Sequence, residues 1–128
     1  MNHARLFLLL GALAGLLTVA LGAFGAHVLE SRLDPHLFTV FNKGVHYQGL
    51  HALALLFTGL LLHISPNTSL RRAGWCFIAG IGLFSGSLYV LSLTGIRGLG
   101  AITPLGGLSF LAGWLLLAMG GWKTGLQE

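Results

Sequence analysis

Four apolar stretches, each without an acidic residue, lysine or arginine, constrain this chain more than any other feature. They run over about 6–26, 45–62, 73–94 and 104–122. A helix needs about 20 apolar residues to cross about 30 Å of hydrocarbon, and each stretch is near that length. No water reaches the bilayer interior to satisfy an open backbone, so each stretch must close its hydrogen bonds within itself as a helix. The fold class expected is all-α: an integral membrane four-helix bundle in a single transmembrane domain, 1–128. Composition agrees. Only 8% of residues are charged, against roughly 25% in soluble domains.

The first run also has the outline of a secretory leader, with Arg5 before it and Ala23-Phe24-Gly25 as a small-residue cleavage site. A leader's apolar core spans only about 7–15 residues, so a retained first span is expected. The net charge of +4 reflects the scarcity of acids, which are Glu30, Asp34 and Glu128, rather than a basic cluster for nucleic acid. Cys76 is alone, which excludes an intramolecular disulfide and a cysteine metal site.

Helices in lipid associate by close backbone approach, and small residues permit it. Gly11 and Gly15 form such a pair in the first span, Gly82 and Gly86 in the third. Gly106 and Gly113, with Gly120, recur at seven-residue intervals in the fourth. All are expected to be helix-packing positions. Between spans one and two, Asp34-Pro35 is a helix start, an N-cap followed by proline in the first turn. Leu37, Phe38, Val40 and Phe41 then give a short interfacial helix over about 35–43, either set off from the second span by a bend at Gly44 or running on into it. Trp75, Trp114 and Trp122 fall where interfacial anchors would stand.

Successive helices reverse direction, so the polar residues of the spans gather at one end. His27 closes the first span; Tyr47, Gln48 and His51 open the second, with His46 at its edge. Ser85, Ser87 and Tyr89 come late in the third, and Thr103 precedes the fourth. Tyr47, Gln48 and His51 share a helical face, as do Ser85 and Tyr89, so a Tyr–His–Ser–Tyr hydrogen-bonded pocket is expected there. The candidate pocket is therefore His27, Tyr47, Gln48, His51, Ser85, Tyr89 and Thr103.

The segments "GAFGAH" (22–27), "YQGLHALAL" (47–55), "GLFSGSLYVL" (82–91), "ITPLGG" (102–107) and "GW" (113–114) resemble the YgdD-like family of small bacterial inner-membrane proteins, a domain of unknown function. The likeness covers all four spans. It implies a four-span membrane protein, points to His27, His51, Ser85, Tyr89 and Pro104, and supplies no activity.

Each chemistry such a pocket could host lacks a part. A haem would need a second axial ligand; His27 with His51 is the one pairing available. A metal would need three or four ligands, and Glu30 is the only carboxylate near the histidines. Ser85 or Ser87 with His51 has no acid to orient the base. No catalytic residue, metal or cofactor is therefore expected. Two readings remain: an accessory or assembly subunit, partnered by the lipid bilayer and by itself or a larger membrane complex, or a small transporter or channel using His51 as its titratable group. Arg5, Arg71, Arg72 and Lys123 against Arg32, Lys43 and Arg97, four against three, favour both termini in the cytoplasm; the resemblance to the YgdD-like family implies a bacterial inner membrane.

Overall fold

The computed structural model describes residues 1–125; the last three residues of the expected single domain lie outside the described ones. Four helices are long and apolar enough to cross a membrane: α1 (His3–Leu29), α2 (Pro35–Ile64), α3 (Thr68–Thr94) and a fourth segment, Arg97–Lys123. This last opens with a 3-10 turn, Arg97–Ala101, and continues as α4 (Thr103–Lys123). The near end of the bundle holds residues 1–5, the α2–α3 turn and the end of α4. The far end holds the α1–α2 and α3–α4 connections.

Side chains set where the helices begin. Asn2 Oδ1 accepts from Arg5 N at 2.9 Å, Asp34 Oδ2 from His36 N at 3.2 Å, and Asn67 Oδ1 from Leu70 N at 3.0 Å. Each cap satisfies an N–H that the first turn leaves without a helical partner. Helix α3 ends on Gly95, whose φ of 73° is the left-handed conformation glycine adopts without strain.

Two expectations are corrected here. The segment 35–43 is no separate interfacial helix, and Gly44 is not a bend; both belong to one continuous α2, Pro35–Ile64. Its 30 residues extend about 45 Å, longer than the hydrocarbon layer, so the first turns can reach the interface without a break. Gly44 is needed for another reason: a Cβ there would stand 2.8 Å from the Tyr89 ring.

Helix α1 packs on α2, α3 on α4, and α2 joins the two pairs by lying against α3. Glycines set the seams. A Cβ on Gly11 would meet Leu56 at 2.8 Å, and one on Gly59 would meet Leu8 and Ala4 O at 3.1 Å, so α1 and α2 touch closely. Between α3 and α4, a Cβ on Gly113 would meet Phe77 at 2.7 Å, one on Gly120 would meet Leu70 at 2.6 Å, and one on Gly106 would overlap the backbone nitrogen of Phe84. Gly11, Gly106 and Gly113 thus sit where neighbouring helices approach closely. Gly15, Gly82 and Gly86 do not, because a Cβ at each would meet nothing within 4 Å. Gly82 lies two residues beyond Gly80, which faces the Phe110 ring, and two residues turn a helix by about 200°. It therefore looks away from α4.

The apolar core fills the near half: Phe7 from α1, Leu55 from α2, Leu70 and Phe77 from α3, Leu117 from α4. The far half buries Leu29, Phe41 and Leu88 and is tied in addition by polar side chains.

Candidate functional site

The far-half polar residues sort into separate clamps rather than one pocket. Gln48 is buried and reaches in two directions. Its Nε2 donates to Ala14 O of α1 at 2.9 Å, and its Oε1 accepts from the Tyr89 hydroxyl of α3 at 2.7 Å. One amide thus ties α1, α2 and α3. Beside it, Ser85 Oγ donates to Gly44 O at 2.7 Å, with Ser85 wholly buried. A π-helical turn over Ile81–Ser85 carries this serine. Such a turn widens the helix by one residue and re-aims the side chains beyond it.

His51 forms a second clamp, to α4. The ring is 2% exposed and stacks on Phe110 with centroids 3.5 Å apart and planes 9° apart. Nδ1 lies 2.7 Å from Tyr47 O, and Trp114 Nε1 donates to His51 Nε2 at 3.0 Å. A carbonyl can only accept and an indole N–H can only donate. The two bonds together therefore assign the proton to Nδ1 and the lone pair to Nε2. Both nitrogens are engaged, which leaves neither to bind iron or carry a proton across the membrane while the clamp is closed. Ser87 Oγ and Thr103 Oγ1, 2.7 Å apart, join α3 to α4 at the far end, and Ser109 Oγ donates to Cys76 O at 2.7 Å deeper in the same seam.

The expected Tyr–His–Ser–Tyr network is thus redrawn. Gln48, not His51, receives Tyr89, and His51 turns instead to α4. Tyr47 contributes its backbone carbonyl and a ring packed 4.7 Å from Phe84. His27 is exposed on the π-helical turn Gly25–Leu29, and among the described residues no hydrogen bond joins it to the others. Trp114 joins the site unexpectedly. In an apolar run a tryptophan reads as an interfacial anchor, and only the level of its ring against His51 reveals the hydrogen bond. Its partner stripe, "YQGLH", is the one signal residue order offers.

Among the described residues no buried side-chain nitrogen or oxygen lacks a hydrogen-bond partner, and no group of three or more His, Cys, Asp or Glu could hold a metal. A lateral groove of about 560 Å³ lies between α2 and α4, with Tyr47, Phe84, Phe110 and Trp114 among its walls. Removing one clamp should be measurable on its own. Tyr89→Phe deletes the hydroxyl bond to Gln48 and leaves the ring on Gly44, so a loss of about 0.6–1.7 kcal/mol is expected in detergent unfolding. An unchanged unfolding midpoint would show that this bond carries no stability.

Fold and site together define a small multi-pass membrane protein whose conspicuous polar residues bind its helices to one another. The chain belongs to the family described as protein of unknown function (DUF423), whose model matches residues 21–107. It is 50% identical over 121 residues to a UPF0382 membrane protein of Staphylococcus haemolyticus, across 93% of this chain and 97% of that relative. It is 47% identical over 116 residues to the UPF0382 membrane protein YwdK of Bacillus subtilis, across 90% and 94% respectively. No solved structure matches the chain.

Proposed function

We propose that this protein is an accessory membrane subunit that acts by assembling, with a second copy or within a larger membrane complex. The observation that carries the reading is the full engagement of the buried polar groups: Gln48, His51, Ser85 and Tyr89 all bond within the bundle. A transporter needs polar groups free to exchange between substrate and chain, and an enzyme needs a nucleophile beside a free base. The surface left over is apolar helix, including the small-residue pair Gly82 and Gly86, where a Cβ would meet nothing within 4 Å among the described residues. The likeness to YgdD-like proteins and the excess of Arg and Lys at the near end support a bacterial inner membrane with both termini cytoplasmic.

Cross-linking in native membranes tests the reading. The wild-type chain is expected in a discrete larger species, and a Gly82→Leu, Gly86→Leu double variant should lose it while the monomer stays folded. A chain that remains monomeric in its membrane, and that conducts a pH-dependent flux in vesicles lost in His51→Ala, would make it the transporter instead.

A further inference from the structure

The near end holds a cleft that the clamps do not involve. It has a volume of about 400 Å³ and lies between the start of α1, the end of α2 and the start of α3. Arg71, His3 and His63 line it, with the amides of Asn2 and Asn67 and the hydroxyl of Thr68. Among the described residues no carboxylate lines it. Two of the three acids, Glu30 and Asp34, stand at the opposite end of the bundle.

The lining is held in place on several sides. The His3 ring packs against Phe7 and Trp75, each with centroids 6.2 Å away. Asn2 and Asn67 are fixed by capping α1 and α3, and Asn67 Nδ2 also donates to Ser65 O at 3.2 Å and Gly120 O at 3.4 Å, so the Asn67 amide shapes the cleft rather than donating into it. Arg71 presents a planar fork of donors whose geometry matches two oxygens of one phosphate. The first turns of α1 and α3 open here with the positive ends of their dipoles, while the last turn of α2 brings a negative end, so the charge of the cleft rests on Arg71.

From the Arg71 guanidinium and the hydrogen-bonding side chains that share the cleft with it, we propose that this cleft binds a phosphate group, with Arg71 as its principal ligand and His3 and His63 as flanking donors. It lies where a helix end meets the membrane boundary, so the phosphate comes either from solution or from the headgroup of an anionic phospholipid. The site is independent of the assembly reading, since Gly82 and Gly86 lie elsewhere on α3.

The two sources separate by experiment on the full chain. In detergent, at ionic strength held constant with chloride, inorganic phosphate should raise the unfolding temperature of the wild type in a saturable manner. Arg71→Gln should need about tenfold more phosphate for the same shift, as expected for loss of a charge-assisted contact. Arg97→Gln, at the far end, should respond like the wild type. A headgroup source would instead leave free phosphate without effect, and would show in nanodiscs as stabilisation by phosphatidylglycerol over phosphatidylcholine that Arg71→Gln removes. Should Arg71→Gln fail to fold, His63→Gln at the exposed rim replaces it, with a smaller rightward shift expected. No response to phosphate or to phosphatidylglycerol, or an equal loss in Arg97→Gln, overturns the proposal.

Discussion

Gly106→Ala is expected to destabilise the folded bundle by about 3 kcal/mol or more, a large effect for a single methyl group. The added Cβ would overlap the Phe84 backbone nitrogen, and its next neighbours, Leu83 C and Phe84 Cα at 2.8 Å, are backbone as well. No flexible side chain stands there to move aside. Relief requires α3 and α4 to separate, which weakens the Gly113–Phe77 and Gly120–Leu70 contacts further along the seam. Gly15→Ala is the control. It has open space for a Cβ and sits inside α1, where replacing glycine by alanine favours the helix by about 0.5–1 kcal/mol. Reversible unfolding in mixed micelles should therefore move the two variants in opposite directions. Equal behaviour would mean that α3 and α4 are not packed on Gly106.

His51→Ala has the second-largest expected effect, about 3 kcal/mol, from two sources. The stacked ring leaves a void against Phe110, and the Trp114 N–H loses its acceptor in a region where water cannot replace it. Trp114→Phe should cost less, about 0.6–1.7 kcal/mol, since it removes the bond and retains an aromatic ring. The double variant gives the coupling. Once His51 is alanine, Trp114→Phe should have little further effect, because the bond it would break is already gone. Strictly additive losses would mean that the two residues act separately.

Much of this bundle is legible in residue order. The uncharged runs set the four spans, Asp34-Pro35 starts α2, and the gathering of Gln48, His51, Ser85 and Tyr89 into one half comes from helices that alternate in direction. What residue order does not supply is phase. Gly82 and Gly86 have the same small-xxx-small spacing as true seam glycines, yet they face away, because spacing states which residues share a face and not what that face meets. The π-helical turns compound this. Each inserts one residue, turning the remainder of its helix by about 100°, and one of them carries His27 to the surface while the other carries Ser85 to Gly44. The Trp114–His51 bond is hidden for a related reason, since it depends on the relative height of α2 and α4. Both partners are visible as residue types; their meeting is not.

The central claim is that the polar half of the bundle is a set of closed clamps, with His51 fixed as a bond acceptor rather than free as a proton carrier. Nitrogen-15 spectroscopy of the His51 ring, in protein labelled at histidine and reconstituted in lipid, tests it most directly. The geometry predicts a single tautomer with the proton on Nδ1 and an unprotonated Nε2 that accepts from Trp114, a signature that Trp114→Phe should alter. An Nε2–H tautomer, or an imidazolium insensitive to Trp114→Phe, would contradict the account.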